Sequence, residues 1–168
     1  MAATGFNLAH TEIRVRSLDH LDEPAYCRYA EEWTASKAAP CNMNWTATGA
    51  IGLALAVILG AFGAHGLRAR LDAYSMSVYE RAVFYHFIHA MGLLVVSILP
   101  RLGIVSLTAG LWVCALLLTG VVIFSGSLYL LAVTGIRGLG AITPIGGLSF
   151  IAAWVLLAIA LLQQAKPE

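Results

Sequence analysis

Charge is scarce in this sequence and unevenly placed. Asp, Glu, Lys and Arg make up 11% of 168 residues, against about 25% in soluble domains. Ten of the charged residues lie in the first 42 positions, and from Ile104 to Ala165 the single charged side chain is Arg137. With 60% hydrophobic residues and a mean hydropathy of +0.81, the chain is neither a soluble enzyme nor a disordered one. A net charge of +1 supplies no basic face for nucleic acid. The three cysteines, Cys27, Cys41 and Cys114, have spacings that match no zinc or redox motif. Cys114 lies in an apolar run, where a thiol acts as a small hydrophobe. No Asp or Glu falls within the long apolar windows, which argues against an antiporter built on a buried carboxylate. Phosphate-binding Gly loops, HExxH and GxSxG are absent as well, so common hydrolase and NTPase mechanisms have no motif behind them.

Residues 1–42 differ in composition from the rest, carrying four Lys/Arg against six Asp/Glu and no long apolar run. They lack the basic start and apolar stretch of a secretory signal, and they are too acidic for a transit peptide. The expectation is a disordered or weakly helical N-terminal tail, with Asp22 as the cap of a short helix over residues 23–36. Met43 directly precedes Asn44 and Trp45, so a chain begun there would open with a short polar start and an interfacial Trp. Residues 1–42 are therefore read as an over-extended gene start, with the native start at Met43.

What is abundant is apolar length. Four uncharged windows follow, Thr46–His65, Ala82–Pro100, Leu102–Ile136 and Gly138–Ala165. A bilayer core about 30 Å thick needs about 20 helical residues. The windows predict an all-α, four-helix transmembrane bundle over residues 43–165, with spans near 46–65, 82–100, 104–130 and 144–162. Thr143 is expected to cap the fourth helix, with Pro144 in its first turn. Four spans put both ends of this domain on one side. Arg68, Arg70, Arg81 and Arg137 face Arg101, Lys166 and, from the tail, Arg28 and Lys37 across the membrane, and positive-inside counting leaves the orientation open.

Polar residues inside the windows are the candidates for chemistry. His86 and His89 are three apart on the second helix and His65 ends the first, so all three are expected at one membrane surface, joined by Ser125, Ser127 and Thr143. Embedded ionisable groups are functional candidates by default, and three imidazoles suit a metal. Neutral histidines also hydrogen-bond across helices, and that locking role is the leading expectation. Gly52, Ala56, Gly60 and Ala64, four apart, form a small-residue face for close helix packing. Leu67, Leu71, Tyr74, Val78 and Tyr85 recur at near-helical spacing and predict an amphipathic segment lying on the membrane surface.

Four motifs occur in order: GAFGAHGL at 60–67, YHFIHA at 85–90, FSGSLYLL at 124–131 and TPIGG at 143–147, followed by Phe150 and Trp154. Together they resemble the YgdD-like (DUF423) family of small membrane proteins of unknown function, to which the eukaryotic transmembrane protein 256 type is similar. The resemblance runs from about Met43 to Leu162, with His65 and His89 at motif positions. It implies a four-helix integral protein of the bacterial inner (plasma) membrane and no established activity. The expected function is structural or accessory. Two other readings stay open, a small oligomeric permease and a metal- or haem-binding membrane protein using His65, His86 and His89. No cofactor or metal is assigned; the expected partners are the lipid bilayer and, as a candidate, a second copy of the chain. A small-residue face turned into the monomer favours the structural reading, whereas the same face turned to lipid favours the permease.

Overall fold

The computed structural model describes residues 44–164. The tail over residues 1–42, its helix over 23–36 and the start at Met43 lie outside the described residues. Among the described residues there are five α-helices, α1 (Trp45–Phe62), α2 (Ala73–Val96), α3 (Leu107–Gly120), α4 (Gly126–Thr134) and α5 (Thr143–Gln164), and no strand. The π turn Gly63–Leu67 extends α1, and a second π turn, Val121–Ser125, joins α3 to α4. With 3-10 turns after α2 and before α5, the apolar helices run Trp45–Leu67, Ala73–Leu102, Leu107–Thr134 and Arg137–Gln163. Each is long and apolar enough to cross a bilayer. The protein is an all-α membrane protein with four transmembrane helices.

Local chemistry sets where these helices start and stop. Free N–H groups at helix starts take side-chain oxygens: Asn44 accepts from Ala47, Asp72 from Ser75 at 2.7 Å, and Ser106 from Ala109 at 3.2 Å. The third span ends on Gly135, whose φ of 71° is the left-handed conformation that glycine adopts without steric cost. Thr143 departs from its expected capping role. Its hydroxyl donates to Ser127 at 2.9 Å, with the Leu139 carbonyl a second acceptor at 3.4 Å, because the 3-10 turn Arg137–Ala141 just before it brings that carbonyl within reach.

The second span also departs from expectation. It begins at Ala73 rather than near Ala82, so Tyr74 and Val78 belong to its first turns and form no separate surface helix. Asp72 supplies the start, and Glu80 and Arg81 are both exposed, so the helix carries two charges without burying either. The Ser75 backbone N–H and hydroxyl hold the Asp72 carboxyl below its ordinary value of 3.8. A depressed carboxyl contributes stability above that value and loses it as pH falls through the lower folded value. The thermal midpoint of the wild type should therefore drop relative to Asp72→Asn below about pH 4, since an amide caps independently of pH. Parallel loss in the two proteins would contradict this.

α1 packs on α2 through a glycine stripe. A Cβ on Gly49 would lie 2.7 Å from the Leu94 backbone nitrogen, one on Gly52 3.1 Å from Ala90 Cβ, and one on Gly60 3.3 Å from Val83. Ala56 is buried between them. Gly63 continues the stripe against Tyr79, while Ala64 is exposed. A strict four-residue step drifts by about 40° per repeat on a 3.6-residue helix, which is why Ala64 leaves the seam and Gly49 and Gly63 join it. The main apolar core lies among the other three spans, where Leu93, Val96, Val113, Cys114, Leu117 and Phe150 meet. The outward residues are large and apolar, among them Ile51, Val57, Ile58, Val122, Ile151 and Leu162. That is the surface hydrocarbon solvates.

Candidate functional site

The six candidate polar residues do not form one cluster. His65 is exposed at the end of the first span. His86 lies at the level of Gly52, whose Cβ position is 4.0 Å from its Nε2. Thirteen residues of helix separate Gly52 from His65, about 20 Å at 1.5 Å per residue. The expectation that all three histidines share one surface fails because α2 starts at Ala73, which carries His86 and His89 to mid-span. Among the described residues no group of three His, Cys, Asp or Glu side chains converges as a metal would require.

His86 and His89 are both buried and point into different helix contacts. The His86 Nδ1 is hydrogen-bonded to the Tyr129 hydroxyl at 3.3 Å, and its ring meets Tyr129 edge-on. It thereby links the first three spans through Gly52, α2 and α4. The His89 Nδ1 donates to the Tyr85 carbonyl one turn earlier, at 2.7 Å, which requires a proton on Nδ1. The ring stacks on Phe150 with centroids 3.4 Å apart and an interplanar angle of 17°. Tyr85 and Trp154 flank it at 5.7 and 6.1 Å, and Tyr85 also meets Phe124 at 4.6 Å. Two glycines make room for this group, since a Cβ on Gly120 would strike the Phe150 ring and one on Gly92 would lie 2.8 Å from Trp154.

The hydroxyls divide in the same way. Ser127 and Thr143 bond directly at 2.9 Å, fastening α4 to α5; Ser127 donates its proton to the Phe124 carbonyl and accepts that of Thr143. Ser125 ends the π turn, fully buried, with its hydroxyl unpaired; such a group costs about 1–3 kcal/mol.

Several residues with parallel roles carried no signal in the sequence. The Tyr79 hydroxyl donates to the Leu59 carbonyl at 2.9 Å and its ring meets Tyr129 at 5.1 Å. Ser149 donates to the Leu116 carbonyl at 2.8 Å, and Thr46 pairs with Ser97 at 3.0 Å. Tyr129 stands within FSGSLYLL, but only the fold shows that it meets His86. Chemically, the arrangement is a series of helix-to-helix fastenings at different depths, each made by neutral groups.

The family described as a protein of unknown function (DUF423) matches residues 59–147, a stretch that holds all six candidate polar residues. A UPF0382 membrane protein of Staphylococcus haemolyticus is 51% identical over 111 residues, covering 66% of this chain and 88% of that protein. The UPF0382 membrane protein YwdK of Bacillus subtilis is 49% identical over 114 residues, 67% of this chain and 90% of its own length. A UPF0382 membrane protein of Staphylococcus aureus is 43% identical over 112 residues, 67% of this chain and 89% of that protein. No solved structure matches the chain.

Proposed function

Given that the chain belongs to the DUF423 family of membrane proteins, we propose that it is a structural or accessory multi-pass protein of the plasma (bacterial inner) membrane, not a solute carrier. One observation carries this reading. The small-residue face that an oligomeric permease would turn outward is occupied by α2 of the same chain, at Gly49, Gly52 and Gly60. Lipid supplies no hydrophobic force between helices, so close packing of small residues is one of the few forces that join them, and here that face is already engaged. Support also comes from His86, His89, Ser127 and Thr143, whose hydrogen bonds run between helices or back to their own backbone.

The test is flux. Full-length protein reconstituted into liposomes should leave ion, water and small-solute permeation at the level of protein-free vesicles. Saturable uptake of any solute above that background would overturn the proposal.

A further inference from the structure

A groove of about 600 Å³ opens at the membrane surface formed by the first and third interhelical connections. Its volume lies within the range of small-molecule sites. Asp72, Tyr74, Ser75 and Val78 line one wall, and Leu131 and Arg137 belong to the other. Asp72 immediately precedes the second span and Arg137 opens the fourth, so the groove lies at headgroup depth and Val78 and Leu131 form its apolar part on the span side. Arg137 is also the one charge between Ile104 and Ala165, a cation kept in an otherwise apolar stretch.

The two charges are not consumed by each other. One Asp72 oxygen accepts from the Ser75 N–H at 2.7 Å, and Ser75 and Tyr74 account for the lowered carboxyl without any cation contributing. A carboxylate and a guanidinium lining one groove complement a ligand that carries both signs. Guanidinium forms paired hydrogen bonds to a phosphate, and a carboxylate oxygen accepts from a primary ammonium.

The structure assigns this groove to the headgroup of a phosphoethanolamine phospholipid from the surrounding leaflet, with the phosphate on Arg137 and the ammonium on Asp72. A lipid is favoured over a free headgroup because the lining is part apolar, with Val78 and Leu131 on the span side.

Native mass spectrometry of the full-length protein supplied with equimolar phosphatidylethanolamine, phosphatidylcholine and phosphatidylglycerol of matched acyl chains tests it. The wild type should retain the ethanolamine lipid over each of the others by about threefold, the factor a solvent-screened charge pair supplies. Asp72→Asn, which keeps the helix cap, should bring the ethanolamine-to-glycerol ratio to about one. Arg137→Gln should lower retention of all three lipids, and Arg137→Lys should restore it in part. Unselective retention by the wild type, or a ratio that neither variant moves, would overturn the assignment. Equal retention of the choline lipid would overturn the primary-ammonium contact, and displacement by soluble phosphoethanolamine would overturn the lipid source.

Discussion

Gly146→Ala should destabilise the bundle by about 2–3 kcal/mol, the upper part of the range for overpacking a filled site, read as a lower thermal midpoint in detergent. A Cβ at Gly146 would strike the Phe124 backbone nitrogen and lie 2.8 Å from the Phe124 Cα. Backbone atoms cannot rotate away, so α5 and the π turn of the third span must separate, and the Ser127–Thr143 bond one turn away is strained with them. Opposing this, alanine is about 1 kcal/mol better than glycine inside a helix. The clash wins because the displaced neighbour is a helix axis, not the tip of a side chain. Gly126→Ala is the control: it is helical, and a Cβ there meets nothing within 4 Å. That variant should be neutral or stabilised by up to about 1 kcal/mol. Gly49→Ala, which faces the Leu94 backbone at 2.7 Å, should behave like Gly146→Ala. Gly49 begins the first span and Gly146 begins α5, at opposite membrane surfaces, so the double variant should show nearly the sum of the two losses. If Gly146→Ala and Gly126→Ala shift the midpoint alike, the close approach of α5 to Phe124 is wrong.

These positions also mark where the sequence could be read and where it could not. Span number follows from a one-dimensional requirement, since hydrocarbon demands about 20 apolar residues whose peptide groups pair along the chain. The windows between Thr46 and Ala165 meet it without reference to any partner. The start of α2 was misplaced because Glu80 and Arg81 read as a boundary, whereas a helix capped by Asp72 carries both on its exposed side. That displacement alone separates His65 from His86 and His89. The small-residue face was legible as a face, but its members were not: a fixed step of four selects Ala64, while helical geometry selects Gly49 and Gly63. Tyr79, Tyr129 and Gly146 depend on which helix lies opposite. Four apolar helices of similar composition permit many neighbour arrangements, so no local pattern assigns those contacts.

His89→Ala should cause the largest loss among the polar positions, about 3–4 kcal/mol by analogy with removing a buried aromatic ring, because the ring fills the space between Tyr85, Phe150 and Trp154. His89→Phe keeps a planar ring on Phe150 and loses only the hydrogen bond to the Tyr85 carbonyl. That carbonyl also closes a helical turn, and transmembrane hydrogen bonds average about 0.6 kcal/mol in double-mutant cycles, so this variant should lose less than about 1 kcal/mol. The order separates two roles. A packing histidine is replaced by phenylalanine at small cost, whereas a metal ligand is not replaced at all. Divalent zinc or nickel gives an independent reading: a metal binding only the folded protein at a hundred times its dissociation constant would add about 2.7 kcal/mol, and the wild-type midpoint should not rise. A midpoint that rises with metal in the wild type and not in His89→Phe would make this imidazole a ligand and end the packing account. Trp154→Leu supplies the complementary case, since it opens the space beside Gly92 while leaving the His89 hydrogen bond intact. Its loss should be partly relieved by Gly92→Ala, whose added methyl enters that space, and such rescue is available only to a residue acting through shape.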